Sequence, residues 1–551
     1  MGRSHNIKAD RLSFLLPLLT GLAAFFLVVG PRVLDTSNIA WLGEGDPVQH
    51  FLGWQFFRQT PWTFPIGLNP GYGLELSNAI VFSDSNPLLA FLFKPLAPLL
   101  PATFQYFGIW LLLCFLLQSW FGWKLAGLFS ANLAIRTLCA CLFIFSPPML
   151  WRLHGHFSLV SHFLILAALY FSLHPDLPRR RWCWATLLAM SALVHAYLLT
   201  MALLLWLADI ARQVRAGKCS ASRALRELAP LFCVLALVCW QAGYFSVRNG
   251  AAAEGFGYHR LNLLSVFDPS GWSYLLPDLP EGPGDYEGFN FLGLGNLFLA
   301  VCMLPVLLDR RPGVIAIRRH WSLLLVLVGL AVFAASNKIG IGAHEYQYHL
   351  PRALQHLGAV FRASGRMFWP AFYGIVFFIV STVVRANSAR TAGALLALAC
   401  LLQVIDTSAA WKEMRMHLMA KPGSQWSSPL GNRFWIDAAN KYKKVRTIPP
   451  RNQIAGWQFL ADYAARHRMG TNAVYLARID TKALDSAAQK AQQELDSGTY
   501  EADTLYILDD GALAQALPKI RQDADLVARI DGFNVLAPGW KSCARCPPVK
   551  N

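Results

Sequence analysis

The sequence predicts a mainly α, polytopic membrane protein of about nine to eleven transmembrane helices, followed by a C-terminal soluble α/β domain. Three observations carry this. Of the 551 residues, 55% are hydrophobic and only 15% charged, with a mean hydropathy of +0.37, a balance foreign to a water-soluble globule of this size. Apolar runs long enough to cross a ~30 Å hydrocarbon core recur over the first 407 residues. Beyond about residue 408 they stop, and short strand and helix patterns replace them.

The first run, residues 12–31, follows Arg3, Lys8 and Arg11. It has the flanks of a signal peptide, but no small-x-small cleavage site follows it, so it reads as a retained helix. Further spans read at 104–123, 133–150, 157–173, 229–246, 291–308, 321–336, 367–384 and 391–407. The stretch 182–211 has arginines at both ends and must enter and leave on one face, so it reads as two short helices broken near His195-Ala196-Tyr197. Such a break is tolerated only where protein or a water-filled cavity covers it. With this pair the reading has eleven membrane segments.

The net charge of +17 raises the question of nucleic acid, but no basic, aromatic-interleaved soluble module is present. Instead the arginines collect in short loops: Arg179-Arg180-Arg181, then Arg212, Arg215, Lys218, Arg223 and Arg226, then Arg310-Arg311 with Arg318-Arg319, then Arg385 and Arg390. The positive-inside rule puts these loops in the cytoplasm, with the N-terminus. The C-terminal domain and three long loops, about 33–103, 247–290 and 337–366, then face the periplasm of a bacterial inner membrane. The expected organisation is a membrane domain over 1–407 and a periplasmic α/β domain over 408–551.

In the first loop, Gly43-Glu44-Gly45-Asp46-Pro47 precedes an aromatic amphipathic stretch, His50 to Trp62, suited to a membrane interface. Glu44 and Asp46 can approach one point if the glycines turn tightly, and paired carboxylates suit a general base or a partner for a cationic group. The plain alternative is a solvated turn in which Asp46 fixes Pro47. His154, His156 and His162, with Arg152 beside them, sit in a short turn between spans. They suit a lipid phosphate or a proton relay as well as interfacial anchoring, and their spacing lacks the i, i+4 register of a helical zinc motif. The second loop holds six acidic residues against two arginines; Glu254, Tyr258, His259 and Arg260 open it and Asp285-Tyr286-Glu287-Gly288-Phe289 closes it. Arg362 and Arg366, four apart, would share a helix face at the mouth of a span, where two guanidiniums fit a phosphate or anchor to anionic head groups.

In the C-terminal part, 444–448, 473–478, 503–508 and 526–530 read as strands, and 455–467, 483–495 and 511–521 as helices. Ile448-Pro449-Pro450-Arg451 stands where a Gly-rich phosphate loop would follow the first strand, which argues against nucleotide binding there. Most of the eleven cysteines lie singly; Cys114, Cys139, Cys141, Cys233, Cys239 and Cys400 sit in apolar runs as small hydrophobes. Cys543 and Cys546 have no second pair to complete a zinc site, leaving a local disulfide or two idle thiols.

Four segments, GEGDPVQHFLGWQFFRQTPW (43–62), RLHGHFSLVSHF (152–163), DYEGFNFLGLG (285–295) and FRASGRMFWP (361–370), together resemble a bacterial family of C-type (GT-C) membrane glycosyltransferases. That family includes transferases proposed to modify type IV pilins with arabinofuranose. The resemblance covers the membrane part and, more loosely, the C-terminal part. It implies an inverting transfer of sugar from a polyprenyl-phosphate donor to a periplasmic acceptor, a pilin or a surface glycan. It implies Asp46 or Glu44 as the base, and Arg362, Arg366, His154, His156, His259 and Arg260 around the donor phosphate. Glu287, Tyr286 and Glu254 would hold the sugar. No cofactor is required and a divalent metal is optional; the partners are the lipid donor, the acceptor and membrane lipids, with no nucleic acid. Other readings are a lipid-linked sugar transporter or flippase, for which symmetric halves are expected but not seen, a glycan ligase or polymerase, and a scaffold with an idle site.

Overall fold

The computed structural model describes residues 13–76, 79–174, 176–250, 255–309 and 320–541. Arg3, Lys8, Arg11, Glu254, Arg310, Arg311, Arg318, Arg319, Cys543 and Cys546 lie outside the described residues. The chain divides into two units. One is Met1–Trp41, Gln105–Ala236 and Ala252–Pro422; the other is Leu42–Phe104, Leu237–Ala251 and Gly423–Asn551.

The first unit is helical. Among the described residues of the whole chain, Phe107–Ala126, Ala196–Arg215, Ala221–Ala242, Ser364–Ala386 and Ala389–Leu418 are long and apolar enough to cross a membrane. Leu133–Ile144 with Pro147–His154 forms a further span bent by 43°. Shorter apolar helices include Leu15–Val28, Phe157–Leu173, Leu294–Leu308 and Trp321–Ala335. The protein is therefore a multi-pass membrane protein with a C-terminal α/β part. Among the described residues the full spans number five or six by length and apolarity, against nine to eleven expected, because several apolar stretches form helices of under eighteen residues.

Local chemistry explains two breaks. Residues 133–150 read as one span, but Ser146 is followed by Pro147 and Pro148, which lack backbone donors and begin a new helix at their own positions. The second break falls at His195. Its backbone is extended (φ −166°, ψ 139°) between Arg180–Val194 and Ala196–Arg215, and its Nδ1 accepts a hydrogen bond from Tyr197 N at 3.2 Å. The two helices return side by side. Trp184 Nε1 donates to Asp209 Oδ2 at 2.9 Å, and the buried Asp209 also pairs with Arg180 and Arg212.

Buried polar groups cross-link the other helices, as expected where water is scarce. Gln118 Nε2 donates to the Tyr373 hydroxyl at 3.0 Å, which lies 2.8 Å from His162 Nδ1. Gln403 Nε2 donates to Phe145 O at 2.9 Å while its Oε1 accepts from Gly295 N at 3.0 Å.

The loops over 255–290 and 337–363 fold onto one another. Strands β1 (Lys338–Ile341) and β2 (His344–Gln347) form an antiparallel hairpin. Asn262 donates to Gly342 O at 2.9 Å and accepts from Gly342 N at 3.0 Å, so the side chain of one loop clasps the turn of the other.

The second unit contains a five-stranded sheet ordered β4-β3-β5-β7-β6, with β3 Lys444–Ile448, β4 Gly470–Thr471, β5 Thr504–Leu508, β6 Leu526–Ile530 and β7 Phe533–Ala537. β3 is parallel to both neighbours, and β7 is antiparallel to both β5 and β6. Residue alternation serves both faces. Val445, Leu505 and Ile507 pack with Leu460, Ala461 and Ala464 of helix Trp457–Arg466, while Tyr506, Leu508 and Leu536 pack with Ala491, Leu495, Ala512 and Ala516 on the other.

Residues 473–478 do not form the expected strand. The Asn452 side chain takes the backbone N–H and C=O of Leu476 instead. Nor does the aromatic stretch after His50 lie flat as a surface helix. Helix Asp46–Gln59 buries every residue from Pro47 to Phe57, and Val48, Leu52 and Phe56 join the core beneath the sheet. Its aromatic residues face protein on all sides, so no apolar stripe is left for a membrane surface.

Candidate functional site

The residues that converge in the helical unit do so around Glu287. The Asp285–Gly288 segment is a single 3-10 turn that points two carboxylates in different directions. Asp285 faces Arg260: Arg260 Nε donates to Asp285 Oδ1 at 3.1 Å, and its Nη1 pairs with Glu345 of β2. Buried and held on two sides, Arg260 ties the loop to the hairpin.

Glu287, also buried, turns the other way. Arg366 grips it with two parallel bonds, Nε to Oε2 at 2.9 Å and Nη2 to Oε1 at 2.6 Å. Arg152, fully buried, adds Nη1 to Oε2 at 2.7 Å and Nη2 to the Glu287 carbonyl at 3.2 Å. His156 Nε2 lies 3.7 Å from Glu287 Oε1 and 3.4 Å from Arg366 Nη2. Burial works to raise the Glu287 carboxyl, but the guanidiniums of Arg366 and Arg152 and the His156 contact outweigh it and hold the group well below its ordinary 4.5. Two guanidiniums against one carboxylate leave one positive charge in excess.

Both carboxylate oxygens of Glu287 accept bonds from arginines, so it orients these cations. Arg362 and Arg366 do not share a helix face. Arg366 belongs to the 3-10 turn Ser364–Phe368, whereas Arg362 lies before it in a bend, exposed and without an ion pair among the described residues.

The turn reaches Glu287 because two glycines let backbones touch. A Cβ on Gly288 would stand 2.0 Å from Arg260 O, and one on Gly365 would stand 2.5 Å from Gly288 Cα. Gly365 N donates to His259 O at 3.0 Å, completing the crossing. Below it, Tyr197, which follows the helix break at His195, meets the Ala363 backbone: Ala363 N donates to the Tyr197 hydroxyl at 2.9 Å, and the Tyr197 ring lies 5.3 Å from the Arg366 guanidinium.

His259 and Tyr286 form the rim, their rings 5.6 Å apart. Burial lowers the His259 imidazole from its ordinary 6.5, with Arg362 and Arg366 adding to the effect against the pull of Glu287. His154 stands aside: it is exposed, its ring lies tilted against Trp151 with centroids 4.7 Å apart, and Nδ1 donates to Trp151 O at 3.2 Å. The sequence reading passed over Arg152 and Tyr197 as site residues. The signals were present in the Arg152-Leu153-His154-Gly155-His156 run and in the predicted break.

The first-loop carboxylates belong to the second unit. Gly45 takes φ 64°, ψ −147°, a conformation favouring glycine, and turns the chain into helix Asp46–Gln59. Asp46 is the first residue of that helix and half-buried, Pro47 follows at a position that needs no donor, and Glu44 is exposed. One turn on, the fully buried His50 places Nε2 3.5 Å from Asp84 Oδ2. The sequence reading did not single out this pair.

Taken together, the fold and the buried arginine–glutamate cluster define a multi-pass membrane protein with an ionic centre where two of its long loops meet. The chain belongs to the family described as Domain of unknown function (DUF6311), matched over residues 18–408, and residues 434–538 match the DUF6311 C-terminal domain. No curated protein matches it. Among solved structures it is similar to ArnT from Cupriavidus metallidurans bound to undecaprenyl phosphate, at 11% identity and a TM-score of 0.42, over 98% of this chain and 99% of that one. At that score the superposition does not establish a shared fold.

Proposed function

We propose that this protein is a polyprenyl-phosphate-sugar-dependent glycosyltransferase, moving a sugar with inversion onto a periplasmic acceptor, a pilin or a surface glycan. The observation that carries the reading is the Arg152–Glu287–Arg366 cluster with its surplus positive charge and the exposed Arg362 beside it. A lipid phosphate needs cations that stay charged and are held in place, and arginine supplies both. Arg362 meets the phosphate directly and Arg366 and Arg152 stabilise the charge that builds as it leaves. His156, His259 and Tyr286 line the approach, and Glu287 fixes the two buried guanidiniums. Asp46, with Glu44 as its alternative, removes the acceptor proton. On this reading the site and the C-terminal domain, residues 408–551, face the periplasm and the membrane domain is residues 1–407.

The test is turnover by the purified chain in nanodiscs, given a polyprenyl-phosphate sugar and cell-envelope acceptors, read as release of polyprenyl phosphate and gain of sugar on the acceptor. Release that stops in Arg362→Ala supports the reading. Transbilayer movement of intact donor without release would make the protein a transporter, and transfer of a whole glycan chain would make it a ligase.

A further inference from the structure

The C-terminal sheet carries a second site that the transferase reading does not use. From β3 the chain leaves through helix Trp457–Arg466 toward β4, whereas from β5 it leaves in the other direction, toward β6 and β7. The connections therefore part between the carboxyl ends of β3 and β5. In open α/β sheets that parting opens a crevice in which ligands bind. Here it holds a cleft of about 510 Å³, inside the ~300–1,000 Å³ range of small-molecule sites.

The lining mixes polar and apolar groups and is balanced in charge. Arg451 and Gln453 come from the loop after β3, Asp509 and Asp510 from the end of β5, and Arg529 and Phe533 from the β6–β7 hairpin. The side chains of Gln453 and Arg529 make no hydrogen bond among the described residues, and Arg529 is exposed. Arg451 Nη2 stands 3.8 Å from Asp509 Oδ2, too far for a hydrogen bond. Asp509 Oδ1 caps the following helix at Ala512 N, 2.8 Å away, and Asp510 Oδ1 accepts from Asn534 at 2.8 Å, so each carboxylate is oriented with a second oxygen remaining.

Two arginines opposite two aspartates do not select a phosphate, and no Gly-rich loop cradles one. They do suit a neutral ligand whose neighbouring groups each donate and accept, because carboxylates take its protons while guanidiniums and amides supply theirs. Phe533 adds an apolar surface for the C–H face of such a ligand. We propose that this cleft binds a saccharide unit, independently of the ionic cluster around Glu287 and of any transfer reaction there.

The test uses the full-length chain in nanodiscs and saturation-transfer NMR with methyl glycosides of glucose, galactose, mannose, N-acetylglucosamine and arabinofuranose. At least one glycoside should receive saturation. That signal should fall several-fold in Arg529→Ala and in Ala455→Trp, which fills the cleft from an exposed lining position, and an equal concentration of inorganic phosphate should leave it unchanged. Gel filtration and circular dichroism matched to wild type confirm that each variant is folded; Arg529→Ala, on an exposed side chain, serves if the tryptophan misfolds. The proposal is overturned if no glycoside is saturated, if the signal persists undiminished in a folded variant, or if phosphate displaces it.

Discussion

Replacing Glu287 by Gln keeps the side chain's size and removes its charge, leaving Arg152 and Arg366 facing each other without a counter-ion. Arg152 is fully buried and Arg366 nearly so, so water cannot replace the lost partner. Removing one member of a buried ion pair typically costs about 3–5 kcal/mol, and this substitution strips two guanidiniums at once. Equilibrium unfolding of the purified protein in mixed detergent–denaturant micelles should show a loss in that range. A double-mutant cycle with Arg152→Met tests the origin of the loss: the double variant should recover about 0.5–3 kcal/mol relative to additivity, since it leaves one unpaired guanidinium, Arg366, in place of two that repel each other. The pH dependence follows from the lowered Glu287 carboxyl. A depressed folded pKa contributes stability that is complete above the ordinary 4.5 and is lost as pH falls through the folded value. The gap between wild type and Glu287→Gln should therefore be constant from pH 8 to pH 5 and close only in stronger acid. A loss under ~0.5 kcal/mol, or strict additivity in the cycle, would show that the three side chains do not act as one ionic unit.

Asp46→Asn should lower transfer ~10²- to 10⁴-fold, the usual loss for a general base, with protein abundance unchanged; an equal or deeper loss in Glu44→Gln would move the base to Glu44. Arg362→Ala should abolish polyprenyl phosphate release without measurable change in unfolding, because Arg362 is exposed and unpaired among the described residues, while Arg362→Lys should keep part of the rate. Gly365→Ala should destabilise by about 1–3 kcal/mol, since its Cβ would meet Gly288 Cα at 2.5 Å and neither backbone can yield cheaply; wild-type unfolding in this variant would refute the close crossing. A reporter active only in the periplasm should work when fused after Arg260 or at Asn551 and fail near Lys218 or Arg311; the opposite pattern would put the carboxylates in the cytoplasm.

What the sequence discloses follows from how local each signal is. The break at His195 was legible because arginines at both ends of one apolar stretch leave no other path for the chain. β3 and β6 were legible from β-branched alternation, and β7 could have been, since Asp531 and Gly532 both take positive φ and join it to β6 as a tight hairpin. Residues 473–478 misled because their strand-like pattern is answered by a side chain, Asn452, from a distant loop. The burial of helix Asp46–Gln59 was hidden for the same reason: its apolar faces are matched by residues some four hundred positions away. In the candidate site, residue types pointed to Arg366, Glu287 and His156 as special, but spacing could not show that the first two are each other's partners.

On the proposed reading, that pairing bears on how an anion site survives when empty. Two buried arginines without a counter-ion would carry a desolvation cost that their own repulsion enlarges, and such a site would be open or collapsed until its ligand arrived. Glu287 offsets one charge and, by accepting the parallel bonds of Arg366 and a bond from Arg152, sets both guanidinium planes. One unit of positive charge is left over, with Arg362 exposed to add another. On the proposed reading, a phosphate whose charge rises during departure then meets cations already oriented, so little reorganisation is needed as the bond breaks. On that reading a carboxylate beside the phosphate is no contradiction: it would lower the affinity of the resting site for anions and keep the geometry that the leaving group requires.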